Sequence, residues 1–372
     1  MRKIIIIVAG ILATGLAMGE DSLRVGRMLN QIKIYGDKLY VIDSGDVDRG
    51  AASSISSIDV NSFRLLQQTS FPAHLNLYRS AFESDQVWVS AWATAELLKL
   101  DVTRDLSRSS IGAVSAYYAP EASDTGLESV VRMGGRTWIA YSNLKRGNGH
   151  GPGKIVVLEE VEGRAEKKQT FITEVPNPKS MIGADGWVFA AAGQYTKDEG
   201  QVVAINTHRA PLVGGVKTLS TNENETFYKI FKTGGTPGDL AFDAGSQKLF
   251  VCDLEAESNR LWIIDVQSGR IQDVQGQFDT CGAVLFHRGK LYVTNCLGGD
   301  LGLNPNHLFV LDATTGQQIC AQILKPGSLT KSALIFPNDL EIYGSSLFIS
   351  YGGYPYVSKL NLDANGKPSG CL

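Results

Sequence analysis

Residues 289–295, Gly-Lys-Leu-Tyr-Val-Thr-Asn, and residues 308–316, Leu-Phe-Val-Leu-Asp-Ala-Thr-Thr-Gly, contain the pattern that decides the fold. In the first segment, a glycine-containing turn leads into residues with a high propensity for β-strands. In the second segment, a short apolar strand ends at Asp312, whose side chain can bond its own downstream backbone and so start a turn. The two segments therefore predict consecutive antiparallel strands joined by short connections.

The same strand-turn-strand pattern recurs along the whole chain. Seven short apolar strands, each preceded by a polar or glycine-bearing turn, occupy residues 39–42, 87–90, 137–140, 187–190, 249–252, 291–294 and 347–350. A further strand follows each one and tends to end in Asp or Asn, at residues 57–59, 99–101, 156–159, 204–206, 262–265, 309–312 and 359–361. With an outer strand such as residues 317–323, each repeat supplies four antiparallel strands, which is the content of one propeller blade.

These repeats predict an all-β fold, a seven-bladed β-propeller of four-stranded antiparallel blades. A β-sandwich or an open β-solenoid is the alternative, but seven evenly organised units favour a closed ring. The seventh repeat ends before a full outer strand, whereas residues 22–27 precede the first complete repeat. We therefore expect this N-terminal strand to complete the last blade and to remove an exposed sheet edge.

The first residues predict export from the cytoplasm. A basic start at residues 1–3 is followed by an apolar run at residues 4–16 and by small residues at positions 17 and 19, which is typical of a signal peptide. We expect residues 1–19 to be removed and residues 20–372 to form a single propeller domain, periplasmic or secreted. The apolar run is too short to span a bilayer comfortably, so we expect no membrane span after its removal.

The charge balance narrows the range of partners. The chain has 35 Lys and Arg residues against 38 Asp and Glu residues, a net charge of −3, and it contains no run of like charge. Nucleic-acid binding and anionic-membrane binding both need a concentration of basic residues, so neither is expected. We expect a monomer whose partner is a protein or a small-molecule ligand.

The cysteines of the chain all lie in its C-terminal third: Cys252, Cys281, Cys296, Cys320 and Cys371. In an oxidising compartment they are disulfide candidates. Extending the register of the hairpin around residues 288–289 places Cys281 opposite Cys296, so we predict that these two form a disulfide; two free thiols are the alternative. Cys320 and Cys371 occupy equivalent outer positions of neighbouring blades, and their pairing and that of Cys252 stay open.

Residues 289–295, followed by residues 308–316, resemble the YVTN-type propeller repeat, whose namesake tetrapeptide stands at residues 292–295. The similarity is strongest in repeats five and six and only general in repeats two to four. This resemblance implies a propeller fold and says little about activity.

Two strand-entry turns are similar to those of the gluconolactonase and SMP-30 lactonase group: residues 236–239, Thr-Pro-Gly-Asp, and residues 336–339, Phe-Pro-Asn-Asp. In that group an Asn and an Asp from such turns hold a divalent cation over the channel. The resemblance implies Asp239 and Asn338 as metal ligands. The two turns occur here in the reverse order along the chain, and the acidic residue expected near the start of that fold is not recognisable.

Loops on one face of a propeller surround its channel and commonly hold the binding site. The ligand-binding candidates on that face are polar or aromatic residues of the entry turns and of the long loops: His74, Asn143, Arg146, His150, Asp239, Asn338, Asp339 and Tyr354. Hydrogen bonds from the loop around residues 143–150 would suit an anionic or sugar ligand. The alternative is a set of solvated surface loops with ordinary aromatic packing.

Catalytic signatures are missing from the sequence. It has no nucleophile elbow, phosphate loop or dinucleotide fingerprint, and its five histidines show no metal-site spacing. We therefore predict an extracytoplasmic binding or scaffold propeller, rather than an enzyme, whose channel-face loops bind a protein, glycan or small ligand. The alternative is a metal-dependent hydrolase of the gluconolactonase type, with a divalent cation as its cofactor. A redox or quinone-linked propeller would need a cofactor or partner that the sequence does not show.

Overall fold

The computed structural model describes residues 21–46, 49–112, 114–145, 149–194, 198–221, 225–255, 258, 260–276, 280–295, 306–325 and 336–371. The predicted signal peptide lies outside these residues, as do two residues named above, Arg146 and Cys296.

The chain forms a seven-bladed β-propeller whose innermost strands surround a central channel. Blades 1 and 4 to 7 have four strands each. From the innermost strand outward, these are β2 (Leu29–Tyr35), β3 (Lys38–Asp43), β4 (Ser53–Asp59) and β5 (Arg64–Phe71) in blade 1; β15 (Pro178–Ala184), β16 (Trp187–Ala192), β17 (Gln201–Asn206) and β19 (Tyr228–Lys232) in blade 4; and β20 (Pro237–Asp243), β21 (Lys248–Asp253), β22 (Arg260–Asp265) and β23 (Ile271–Gln275) in blade 5. Blade 6 has β24 (Cys281–His287), β25 (Lys290–Asn295), β26 (His307–Asp312) and β27 (Gln318–Ile323), and blade 7 has β28 (Phe336–Tyr343), β29 (Ser346–Gly352), β30 (Tyr356–Asn361) and β1 (Asp21–Arg24).

Blades 2 and 3 depart from the four-stranded plan. Blade 2 has three strands, β6 (Leu77–Glu83), β7 (Gln86–Ala91) and β8 (Glu96–Asp101), after a 3₁₀ turn at Ala73–Leu75. Blade 3 has β9 (Leu127–Met133), β10 (Arg136–Tyr141), β13 (Gly153–Val161), β14 (Arg164–Thr173) and β18 (Val216–Leu219), with a short hairpin of β11 (Leu144–Lys145) and β12 (Gly149–His150) in its long loop. Strand β18 comes from an insertion in blade 4 and runs parallel to β14.

The predicted repeat is confirmed. All seven of the short apolar segments lie within the second strands of the blades: β3, β7, β10, β16, β21, β25 and β29. These strands are apolar on both faces because each blade packs between two neighbours. Their aromatic residues include several of the largest fully buried side chains, among them Trp138, Phe189, Phe250, Tyr292 and Phe348.

The N-terminal strand closes the ring as predicted. Strand β1 pairs antiparallel with β30, with Ser22 opposite Ser358 and Leu23 opposite Val357. The N–H of Val25 then donates to the carbonyl of Pro355 at 2.8 Å. The first and last strands therefore share one sheet, and blade 7 gains its outer strand from the other end of the chain.

The predicted pairing of Cys281 with Cys296 is wrong, because Cys281 is bonded to Cys252, at a Cα–Cα distance of 5.2 Å. The hairpin has the expected register near its turn, but it slips between Cys281 and Val284, so that Asn295 stands opposite Cys281. The bridge joins blade 5 to blade 6, and both its cysteines are fully buried. A second disulfide joins Cys320 to Cys371, at a Cα–Cα distance of 5.6 Å, and fixes the C-terminal segment against blade 6.

Candidate functional site in the central channel

Every innermost strand begins with a β-bulge. The register of the first hairpin slips at the same place in each blade, for example between Leu29 and Gln31 in blade 1 and between Pro237 and Leu240 in blade 5. A bulge leaves residues outside the strand ladder and re-aims their side chains. The first bulge position holds Asn30, Tyr78, Glu128, Lys179, Gly238, Gly282 and Asn338. The second bulge position holds Gln31, Arg79, Ser129, Ser180, Asp239, Ala283 and Asp339.

Acceptor side chains at the second bulge position bind the backbone of the next blade. Such bonds run from Ile32 N–H to Asp339 at 3.0 Å, from Ser80 N–H to Gln31 at 2.6 Å, from Met181 N–H to Ser129 at 3.1 Å and from Val284 N–H to Asp239 at 2.9 Å. Each bond joins one blade to the next around the ring. Two of the predicted site residues, Asp239 and Asp339, therefore have a structural role as well as an opening towards the channel.

Asn338 also connects two blades. Its amide nitrogen donates to the carbonyl of Leu29 at 2.8 Å, and its amide oxygen accepts a hydrogen bond from Ser350 Oγ at 2.8 Å. Asn30 makes the equivalent contact one blade further on, with its amide nitrogen 3.0 Å from the carbonyl of Leu77. The geometry thus assigns Asn338 to the junction between the last blade and the first.

Two ion pairs lie in the channel centre together with Asp239. Lys33 Nζ lies 2.5 Å from Glu341 Oε1, and Arg79 Nη1 lies 3.7 Å from Asp339 Oδ2. The four side chains come from blades 1, 2 and 7, so strands from opposite ends of the sequence build this part of the site. Arg132 also lines the cavity and pairs with Glu83 at 2.5 Å, so Asp239 is the one lining carboxylate without an ion-pair partner among the described residues.

Burial dominates the electrostatics of these carboxylates. Loss of hydration, followed by the negative charge of Asp339, raises the pKa of Asp239 to about 7. The pKa of Asp339 is raised by the same loss of hydration, with Arg79 and Lys33 opposing the effect. Loss of hydration likewise raises the pKa of Glu341, while the adjacent Lys33 opposes it. Near neutral pH, Asp239 is therefore present in both its protonated and its ionised form.

A second group of charges lies at the first bulge position. Glu128 accepts a hydrogen bond from Trp92 Nε1 at 2.9 Å, and loss of hydration raises the pKa of its carboxyl. Loss of hydration lowers the pKa of Lys179, in the next blade, to about 8, and the charge of Glu128 opposes that shift. Glu128 and Lys179 thus place a carboxyl group and an amino group at the first bulge position of two neighbouring blades.

The channel centre encloses a cavity of about 290 Å³. Charged groups share its wall with apolar side chains that include Ala81, Leu240, Val284 and Leu340. A wall that combines a few convergent polar groups with apolar surface is typical of sites for small molecules.

The metal ligands that the lactonase resemblance implies, Asp239 and Asn338, stay a prediction. No group of three His, Cys, Asp or Glu side chains that could hold a metal ion occurs among the described residues. The two predicted ligands have different neighbours, since Asn338 bonds Leu29 and Ser350, whereas the charges acting on Asp239 are those of Asp339 and Arg79.

The other predicted ligand-binding residues lie in the loops. His74 is exposed in the 3₁₀ turn before blade 2. Asn143 is buried, and its amide nitrogen donates to the carbonyl of Pro152 at 2.7 Å, which makes it part of the loop's own framework. His150 has Nδ1 3.2 Å from the carbonyl of Ser142, and Tyr354 stacks on Tyr356. Arg146 lies outside the described residues.

Sequence reasoning missed Lys33, Arg79 and Glu341, and also Glu128 and Lys179. A signal for them exists in the sequence, because they are charged residues at strand positions that are uncharged in most of the other blades. Aligning the innermost strands, rather than the second strands, would have brought Arg79, Asp239 and Asp339 to one position.

No protein-family model matches the chain, and no curated protein matches it significantly. Among solved structures, it is similar to a catalytically inactive virginiamycin B lyase from Staphylococcus aureus with quinupristin, at 12% identity and a TM-score of 0.62, covering 93% of this chain and 99% of that one. It is also similar to the WD40 β-propeller domain of Doa1, at 10% identity and a TM-score of 0.62, covering 93% and 97%. A computationally designed protein matches at 9% identity and a TM-score of 0.52, covering 91% and 98%.

At these identities the similarity shows the fold alone. The neighbours include β-propellers of varied function, in agreement with the propeller fold seen here, and membership of the YVTN type stays a prediction. No helix among the described residues is long and apolar enough to cross a membrane.

Proposed function

We propose that this chain is an extracytoplasmic binding propeller that holds a small ligand in its central channel. The proposal includes a YVTN-type repeat, a signal peptide at residues 1–19 and a mature single domain from residue 20 onward. Two disulfides, Cys252–Cys281 and Cys320–Cys371, support an oxidising compartment such as the periplasm or the cell exterior.

The charged groups in the channel centre carry this proposal. The fold does not require charge at the second bulge position, since Ser129, Ser180 and Ala283 occupy it in three other blades. Desolvating an ionised side chain costs free energy, so an ionised Asp239, which has no ion-pair partner among the described residues, lowers stability relative to a neutral residue unless a ligand interaction offsets that cost. Shifted pKa values in a cavity of ligand size are typical of functional sites.

Binding is favoured over metal-dependent hydrolysis by the surroundings of Asp239. The Arg79 guanidinium acts on Asp239 and pairs with Asp339, so a cation already lies among the carboxylates where a metal would have to bind. Asn338 uses both ends of its amide within the fold. The proposed occupant of the channel is therefore an organic ligand.

Four six-carbon probes of different charge test the proposal: hexylamine, hexanoate, 6-aminohexanoate and hexan-1-ol. Binding to the mature protein is measured by isothermal titration calorimetry and by thermal shift. The substitution Ser180→Phe fills the lumen at the second bulge position, and Ser345→Phe places the same ring in an exposed turn as the matched control.

We expect at least one probe to bind the wild type and Ser345→Phe but not Ser180→Phe. Failure of all four probes, or equal binding to the two variants, would contradict a ligand site in the channel. A folded Ser180→Phe variant is established beforehand by its far-ultraviolet circular dichroism spectrum and a cooperative melting transition.

A further inference from the structure

Asp239 differs from the other carboxylates of the channel centre in its partners. Glu341 has Lys33 at 2.5 Å, and Asp339 has Arg79 at 3.7 Å. No ion pair reaches Asp239 from any part of the chain that the structure describes. The backbone N–H of Val284 donates to its carboxylate at 2.9 Å, and the N–H of Leu240 also interacts with it and lowers its pKa.

Three cations line the channel centre, and each has a carboxylate partner: Lys33 pairs with Glu341, Arg79 with Asp339 and Arg132 with Glu83. Among the described residues, Asp239 is the lining carboxylate that these pairs leave over. A carboxylate has about four acceptor positions on its two oxygens, and two backbone donors leave part of that capacity unused. The Asp239 carboxylate can therefore accept further hydrogen bonds.

Little side-chain bulk occupies the bulge of blade 6. The blade that follows Asp239 around the ring contributes Gly282 and Ala283 at the two bulge positions, which offer no side chain beyond a methyl group. Leu240, Val284 and Leu340 also line the channel cavity, each with 3–4% of its surface exposed. A group that approaches Asp239 from the channel thus meets a carboxylate with apolar surface beside it.

We propose that the channel binds a small organic amine, with its primary ammonium group on the Asp239 carboxylate and its apolar part against Leu240, Val284 and Leu340. This inference rests on the proposed function, a ligand site in the channel, and adds the chemical class of the ligand. An ammonium group supplies three N–H donors and the missing positive charge. A divalent metal ion would need more oxygen ligands than the described residues place here.

Binding of the amine is linked to the proton on Asp239. Burial and Asp339 raise the pKa of this carboxyl to about 7, while Arg79 opposes the rise. The other charged residues that line the cavity are Lys33, Arg132 and Glu341. An ammonium ion pairs with the carboxylate and not with the carboxylic acid. We therefore expect binding to release a proton below pH 7 and affinity to increase as the pH rises from 6 to 8.

The experiment compares hexylamine with hexan-1-ol and hexanoate in isothermal titration calorimetry. The protein variants are Asp239→Asn, Asp239→Ser and the matched control Asp273→Asn, an exposed acid on the outer strand of the same blade. Serine is included because Ser129 keeps the hydrogen bond between blades at the equivalent position, so this variant removes the charge and preserves an acceptor.

We expect hexylamine to bind the wild type and Asp273→Asn and to bind both Asp239 variants roughly tenfold more weakly, as lost charge-assisted hydrogen bonds imply. Hexan-1-ol should have the same affinity for all four proteins. Titrations at pH 6 in buffers of different ionisation enthalpy should show proton release for hexylamine only.

The outcomes distinguish a failure of the amine assignment from a failure of the proposed ligand site in the channel. One outcome is that hexanoate binds the wild type, that Ser180→Phe abolishes that binding and that hexylamine does not bind at all. In that case the channel site is supported and the amine is the wrong ligand class. Equal hexylamine affinity in wild type and Asp239→Asn would also overturn the amine assignment. If Ser180→Phe changes the affinity of none of the probes, the channel site itself is contradicted.

Discussion

Blades 5 and 7 place an aspartate at the same bulge position, and each carboxylate accepts a hydrogen bond from the next blade. Their neighbours differ, however. Asp339 has the Arg79 guanidinium 3.7 Å away, whereas Asp239 is followed by a blade with Gly282 and Ala283 at its bulge. A repeated fold thus supplies equivalent positions, and the adjacent blades decide whether a carboxylate there is paired or left to meet a ligand.

The largest expected effect comes from removing the cation of blade 2. Arg79→Met leaves Asp339 buried without its ion-pair partner, so we expect a loss of about 2 kcal/mol in the free energy of unfolding at pH 8. Urea denaturation measures it. In an Asp339→Asn background the same substitution should cost much less, and an undiminished cost there would show that Arg79 acts through packing alone.

The pH dependence of Asp239 gives the next effect. Its folded pKa of about 7 lies above that of an unfolded aspartate, so the folded state retains a proton that the unfolded state has lost between about pH 4 and pH 7. Wild-type stability should therefore fall relative to that of Asp239→Asn as the pH rises through this window, and the difference should level off above pH 7. Urea denaturation from pH 4 to 8 follows this difference. A constant difference over that range would contradict the raised pKa.

Asn338→Ala tests whether the amide of blade 7 is a structural link. The substitution leaves the carbonyl of Leu29 without its donor, so we expect a loss of about 1 kcal/mol in the free energy of unfolding. Asn30→Ala, which removes the equivalent bond one blade further on, is the matched comparison. A loss of ligand binding in Asn338→Ala with unchanged stability would instead assign Asn338 to the ligand.

The smallest expected effect concerns divalent cations. Arg79 and Lys33 already lie among the carboxylates, so calcium, manganese or zinc should leave the melting temperature of the purified protein unchanged. Differential scanning calorimetry after chelation and after readdition of each metal measures this. A clear upward shift that Asp239→Asn abolishes would restore the metal-dependent alternative.

The sequence by itself determined the blade count, the position of each second strand and the closing strand at the N-terminus. These features are local, because each hairpin is specified by its own apolar run and turn, and the ring follows from repetition. Similarity to known propellers confirmed the architecture without adding a function. The entry turns were also visible, and Asp239 and Asp339 were named from them.

Only the tertiary structure decided which side chains meet. The hairpin pattern in the sequence does not reveal the bulge that moves Asn295 opposite Cys281. Cys281 therefore forms its disulfide with Cys252 of the preceding blade and not with Cys296. The pairing of Arg79 with Asp339 depends on ring closure, which brings residues from opposite ends of the chain into one channel. The sequence fixes the order of blades along the chain, but charge and burial at the axis depend on all of the blades at once.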